Sequence, residues 1–230
     1  MIALRPAQNR GHADHGWLKS WHSFSFADYF DPAEMGWGAL RVINEDIVAP
    51  GEGFPMHGHR DMEIVTVILA GALEHRDSLG NGAVSRPGEV QRMSAGLGVR
   101  HSEFNPSAEA ATHLLQIWIR PARSGATPGY EQREISLAPG ATLLASPDGR
   151  DGSVAIGQDA TLQRVRLAAG EIFAPDLAPD RFGYAHLISG ALESGDFQLS
   201  AGDGLKAHDA PGLRLTATGA ADFLWFDLPA

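Results

Sequence analysis

Short apolar runs, interrupted at close intervals by glycine and proline, set the pattern of this chain. Residues 40–43, 63–69, 113–119, 162–167, 184–188, 212–217 and 222–226 are each rich in β-branched or aromatic side chains. Runs of this length between turn formers predict β-strands. Nowhere does the 3.6-residue periodicity of a long helix appear; short helical turns are predicted near 25–31 and 32–36. Many short strands with few helices predict an all-β sandwich or barrel. Residues 121–140 contain three prolines and three glycines with few apolar positions, and are predicted to connect two domains.

The pattern repeats. Gly51-Glu52-Gly53-Phe54 recurs as Gly170-Glu171-Ile172-Phe173, and Gly71-Ala72-Leu73-Glu74 recurs as Gly190-Ala191-Leu192-Glu193, both at an offset of 119 residues. Each half ends in a tryptophan-bearing strand followed by proline, Trp118 with Pro121 and Trp225 with Pro229. Two related β-domains are expected, residues 1–125 and 126–230.

Composition narrows the class. The 230 residues are 43% hydrophobic and 20% charged, as in a globular protein with a sizeable core. A formal net charge of −10 disfavours non-specific binding to nucleic acid or to an anionic membrane. The absence of cysteine removes disulfides and thiolate ligands. No leader-like apolar segment opens the chain, and the longest apolar stretch, 64–73, is about half a membrane span. A cytoplasmic monomer is expected.

Two triplets carry the candidate chemistry, His57-Gly58-His59 and His101-Ser102-Glu103. On a strand, side chains at i and i+2 share a face, roughly 6.5–7 Å apart. Two such strands side by side would bring three imidazoles and one carboxylate to one point. Imidazole suits Fe, Ni, Cu, Co and Zn, and the carboxylate adds a hard anionic oxygen. Three neutral histidines and one glutamate leave a divalent ion with a net charge of about +1, a site that attracts an anionic ligand. Four protein ligands also leave positions open on a five- or six-coordinate ion. By the 119-residue offset, His57 maps to Asp176, His59 to Ala178 and Glu63 to Phe182, so a single site in the first half is expected.

These residues resemble a cupin metal site. Gly51, His57, His59 and Glu63 fit the first cupin motif, with its closing glycine displaced to Gly71. Gly98, His101 and Asn105 resemble the second, with Gly96 where proline is usual. The wider stretches 54–66, 74–81, 87–88, 93–96 and 101–103, together with Trp21-His22-Ser23-Phe24-Ser25-Phe26, are similar to the pirin family over about residues 17–122. The resemblance implies a bicupin of two jelly-roll barrels, the second a degenerate copy. It also implies one divalent metal held by His57, His59, His101 and Glu103. Iron is the implied ion, although Ni, Cu, Co, Mn or Zn would satisfy the same ligands. The general cupin motif would nominate Glu63; the pirin pattern moves Glu63 behind the ligands, orienting His57 or His59 through a ring N–H.

The resemblance further implies quercetin 2,3-dioxygenase activity, in which O2 opens the heterocyclic ring of a flavonol and carbon monoxide is released. Glu103 would be the general base for the 3-hydroxyl, and Phe54, Met93 and Trp118 the candidate walls of a flat pocket. The alternative is a non-catalytic metal-binding regulator that docks on a protein partner; a third reading is a cupin isomerase acting on an anionic metabolite. Other signals are discounted. His75-Arg76-Asp77 echoes a kinase catalytic loop without the accompanying elements and reads as a strand-end polar cluster. His12, His15 and His22 read as a polar N-terminal segment packed across the barrels, and His113 as a hydrogen-bonded core histidine.

Overall fold

A computed structural model describes all residues, 1–230. Two β-sandwiches follow one another along the chain. The first pairs a seven-stranded sheet with a four-stranded one. The larger sheet runs in the order Gly129–Glu134, Glu89–Ser94, Glu63–Ala70, Thr112–Ile119, Leu40–Val48, Leu18–His22, Gly11–Asp14. The smaller runs Gly53–His59, Val99–Phe104, Leu73–Asp77, Gly82–Ser85. The second sandwich has the same make-up. Its larger sheet runs Ile2–Arg5, Gly204–His208, Phe182–Ser189, Ala221–Leu228, Thr161–Leu167, Gly140–Ser146, Val154–Ala155, and its smaller Ile172–Phe173, Leu215–Ala217, Ala191–Ser194, Phe197–Ser200.

The two orders match except at one outer edge, where Val154–Ala155 pairs parallel with its neighbour and Gly11–Asp14 pairs antiparallel. Glu63–Ala70 and Phe182–Ser189 correspond end to end at the offset read from the sequence. Thr112–Ile119 and Ala221–Leu228 also correspond in place and length. On that match Trp225 stands where Gln116 does, so the two tryptophans do not repeat one position. Each larger sheet is finished at one edge by a strand from outside its half. Ile2–Arg5 pairs with Gly204–His208 in the second sandwich, and Gly129–Glu134 pairs with Glu89–Ser94 in the first. Both pairings cross the division between 125 and 126, and both cover an edge that would otherwise expose unpaired backbone. The connector 121–140 therefore contains a strand. Its sequence, Gly-Tyr-Glu-Gln-Arg-Glu, is polar because an edge strand need not bury two faces.

The largest apolar core, 21 buried residues, lies between the two seven-stranded sheets. Val65, Val67, Leu115, Ile117 and Ile119 meet Leu162, Tyr184, Leu224, Phe226 and Leu228 there. The central strands are thus buried on both faces, which is why they read as near-continuous apolar runs rather than as alternation. The interior of the second sandwich is apolar as well, with Leu187, Leu192, Leu215, Phe223 and Trp225 at its centre.

The interior of the first sandwich differs. Apolar clusters fill its two ends, Leu18, Val48, Ile68, Leu73 and Leu114 at one and Ile64, Met93, Ala95 and Val99 at the other. Between them a polar row crosses the larger sheet. His22 pairs with Asn44, Asn44 with Gln116, Gln116 with Thr66, and Thr66 with Gln91.

No helix forms at 25–31 or 32–36. Residues 25–31 make a tight bend closed by a Phe26–Tyr29 bridge, with Ala27 at φ 49°. The Ser25 hydroxyl accepts from the Asp31 N–H and donates to the Asp31 carbonyl. Such side-chain bonds compete with a helical turn and here replace it.

The shared core predicts that both sandwiches unfold in one calorimetric transition. Leu115→Ala should lower stability by about 2–5 kcal/mol in chemical denaturation. Two separable transitions, with only one displaced by the substitution, would contradict the shared core.

Candidate metal centre

Gly53–His59 and Val99–Phe104 lie antiparallel, with His101 directly opposite His57. His57 and His59 share a face, and the three rings gather, with centroids 4.4 Å apart for His57–His101 and 4.8 Å for the other two pairs. Nε2 of His57 lies 3.0 Å from Nε2 of His101. The register shifts between His101 and Glu103, so that Glu103 faces Phe54 instead of Pro55. Pro55 has no N–H to lose at such an irregularity.

The far side of each ring fixes which nitrogen is free. Nδ1 of His57 is 2.8 Å from the Pro55 carbonyl. A carbonyl only accepts, so Nδ1 carries the proton and Nε2 keeps its lone pair. His101 is set by a buried chain. Its Nδ1 is 3.4 Å from Nδ1 of His75, and Nε2 of His75 is 3.3 Å from Oδ2 of Asp77. Asp77 also accepts from the Asn81 amide and from the backbone N–H groups of Leu79 and Asn81. If His75 donates to Asp77, its Nδ1 must accept from His101, which leaves the His101 Nε2 lone pair free. Tyr130 stacks on His75 at 4.7 Å and holds its plane. The motif His75-Arg76-Asp77 is thus the support behind a candidate ligand, two of its residues turned inward and Arg76 outward.

Burial, with the neighbouring His57, takes His59 down to about 4, and burial likewise lowers His101. Both are neutral near pH 7, the state in which an imidazole binds a metal. Glu103 is buried, and that burial pushes its carboxyl up to about 7; the Asp46 charge adds to the rise and the bond from Gln116 opposes it. Oε2 of Glu103 accepts from the Gln116 amide at 2.9 Å, whose own oxygen accepts from Thr66 at 2.7 Å. Oε1 of Glu103 is buried without a partner. Its carboxylate comes within 4.8 Å of the donor atoms of His101 and His75. The donor atoms of His57, His59 and His101 form one group at that spacing and those of His75, His101 and Glu103 another, with His101 common to both; three convergent imidazoles with an orphaned carboxylate oxygen next to the shared one fit a metal-ligand set.

The site opens on a cavity of about 380 Å³. His57, His59 and Glu103 sit on its wall with Phe54 and Trp118, whose ring meets that of His59 edge-on at 4.9 Å. Phe26 and Tyr29 reach over it from the 25–31 bend, and Asn44, Asp46 and Gln116 form its floor.

Not every expected residue lies here. Met93 is sealed among Ile64, Ala95 and Val99, away from the cavity. Glu63 does not contact His57 or His59. It lies on the other face of its strand from Ile64, Thr66 and Ile68, accepts from the Ser94 hydroxyl at 2.7 Å and approaches Gly157. Strand parity puts residue 63 on the domain-facing side, which corrects the orienting role expected of it. His12, His15 and His22 line the cavity without converging on one another, and His22 bonds Asn44 at 2.8 Å. His113 is a third exposed and bonded to Glu45, so it lies at the margin of a core. Thr66, Gln116, Asn44, Asp46 and His75 were not singled out as site residues from the sequence. For Thr66 and Gln116 the signal is a single polar residue at an inward position of an otherwise apolar strand; Asn44 and Asp46 are two such residues on one strand, and His75 lies in a strand that is polar after Leu73.

The second sandwich lacks every counterpart. Glu74 pairs with Phe104, and its repeat Glu193 pairs with Thr216. Leu215 and Leu213 therefore stand where Glu103 and His101 do, both buried in the apolar core.

Duplicated sandwiches with a histidine–carboxylate constellation in the first alone define a bicupin. The chain belongs to the pirin family. The Pirin family model matches residues 3–119, and a quercetinase C-terminal cupin domain model matches 143–228. The quercetin 2,3-dioxygenase of Escherichia coli (strain K12) is 47% identical over 229 residues, covering 100% of this chain and 99% of that protein. A pirin-like protein of Caulobacter vibrioides is 41% identical over 231 residues, covering 99% of each. The crystal structure of the bacterial pirin YhhW of Escherichia coli in complex with nickel(II) superposes with a TM-score of 0.96 at 47% identity, covering 100% of this chain and 99% of that one.

His75→Phe would remove the acceptor behind His101 while keeping the ring that stacks on Tyr130. Its affinity for Ni(II) should fall about 10–100-fold by calorimetric titration of metal-free protein. Unchanged affinity would show that the His75–Asp77 pair does not support His101.

Proposed function

We propose that this protein is a metal-dependent quercetin 2,3-dioxygenase, opening the heterocyclic ring of a flavonol with O2 and releasing carbon monoxide. The observation that carries this is the opening of the histidine cluster on a cavity flanked by aromatic rings, with His57, His59 and Glu103 on its wall and His101 buried behind them. Its volume falls in the range of small-molecule sites. An open cavity at the ligands favours catalysis over the non-catalytic regulator, which needs no room there. The activity in the name of the Escherichia coli relative points the same way.

His57, His59, His101 and Glu103 would hold one divalent ion, iron(II) by the family resemblance, with nickel(II) the ion bound in YhhW. When bound, such an ion supplies positive charge that favours the deprotonated form of a hydroxyl group beside it, and a centre able to exchange electrons. The remaining work falls to the chain. Phe54 and Trp118 confine the flat ring system. Gln116 holds Oε2 of Glu103 and so orients the carboxylate that takes the proton of the flavonol 3-hydroxyl. Phe26 and Tyr29 cover the bound molecule and limit water.

The test is anaerobic loading of metal-free protein with Fe(II), Ni(II), Mn(II), Co(II), Cu(II) or Zn(II), then aerobic quercetin turnover with carbon monoxide measured. No carbon monoxide with any of these ions would sink the proposal. Glu103→Gln keeps the shape and the bond to Gln116, and should lower kcat about 10²–10⁴-fold. Full turnover in a variant that binds the ion normally would refute the base assignment.

A further inference from the structure

Asp46 is a buried acid that no cation neutralises. It lies on the inward face of Leu40–Val48, 4% exposed, on the floor of the cavity. Its Oδ1 has no hydrogen-bond partner, and no ion pair includes it. Glu45 beside it points to the other face, where Arg10 and His113 hold it. Burial pushes the Asp46 carboxyl up to about 7, opposed by the Ser20 hydroxyl directly across on the neighbouring strand. A carboxylate oxygen left unsatisfied beside a cavity costs stability. Leucine would have been cheaper there, as Leu18, Val48 and Leu114 nearby demonstrate.

Asn44 pairs with Gln116, which holds Glu103; Asp46 lies two residues along from Asn44, on the diagonal from Gln116. Diagonal neighbours are roughly 7–8 Å apart, about the length of two fused aromatic rings. A ligand whose reacting hydroxyl meets the histidines and Glu103 would thus present its far edge to Asp46.

We infer that Asp46 is a second anchoring point, accepting a hydrogen bond from a neutral hydroxyl on the far ring of the ligand. This rests on the reading that an aromatic hydroxyl compound enters the cavity, and it narrows the class. The ligand carries one hydroxyl for the histidine end and another, remote donor hydroxyl for Asp46. A carboxylated ring is turned away at that end, because Asp46 and Glu103 would face a third acid. Asp46 is a specificity-determining residue, apart from the metal ligands.

The experiment is anaerobic calorimetric titration of the Ni(II)-loaded protein with two flavonols. 3-Hydroxyflavone carries only the reacting hydroxyl; quercetin carries further hydroxyls on both aromatic rings. Wild type should bind quercetin roughly tenfold more tightly, the value of one hydrogen bond to a buried acceptor. Asp46→Leu should erase that preference while binding 3-hydroxyflavone no more weakly, and its Tm should equal or exceed that of wild type. Asp46→Asn, which keeps an acceptor oxygen, should retain most of the preference. Three results would overturn the inference: no preference in wild type, equal loss for both flavonols in the leucine variant, or a fall in its Tm, which would make Asp46 a structural residue. An absent preference in the wild type overturns the inference without any variant, and a preference kept in Asp46→Asn but lost in Asp46→Leu assigns it to residue 46. Discrimination without carbon monoxide release would leave Asp46 as the anchor and remove the dioxygenase reading; carbon monoxide release without discrimination would do the reverse.

Discussion

The hydrogen bond from Gln116 to Glu103 joins the two sheets of the first sandwich across its polar middle. Gln116 belongs to the larger sheet and Glu103 to the smaller. In an interior otherwise closed by leucine, isoleucine and valine, this bond and the Thr66–Gln116 bond behind it let an acid stay buried. They also fix which of its oxygens is free. Without them, a buried carboxylate would carry two unsatisfied oxygens, and the sheets would have reason to close on apolar side chains as they do in the second sandwich.

That second sandwich is the natural control. It has the same strand order but for one outer edge, and the same outer partnership, yet Trp225 replaces Gln116, Leu215 replaces Glu103 and Leu213 replaces His101. Its interior is a continuous apolar cluster, whereas the first is split in two by the polar row. The core between the larger sheets ties the two together. Stability and chemistry are thereby separated. One copy and the shared core supply burial, and the other copy tolerates unsatisfied acids around a cavity.

Each ring at the candidate metal centre is held on its far side by something different. His57 leans on a backbone carbonyl two residues away, while His101 leans on a chain of side chains ending at Asn81. The first support is local and follows from the strand itself. The second runs across strands, so it exists only if Leu73–Asp77 pairs beside Val99–Phe104 in the observed register. A one-residue slip would turn His75 and Asp77 outward together.

Much of this was legible in the sequence. The spacing of His57-Gly58-His59 and His101-Ser102-Glu103 sufficed to place two pairs on common faces, because strand periodicity is a local property. The 119-residue offset sufficed to find the duplication and to deny the second half its histidines. The apolar runs sufficed to locate the central strands, because burial on both faces leaves no ambiguity of type. What depended on tertiary structure is which element meets which. Ile2–Arg5 and Gly129–Glu134 are edge strands whose pairing is made by distant residues. Glu63 fits a cupin motif by spacing, yet its parity sends it to the domain interface. His75, Gln116 and Asp46 each look ordinary in their own strand and acquire meaning only from the residue opposite. The local backbone decides where a side chain points; only the assembled sheets decide what it finds there.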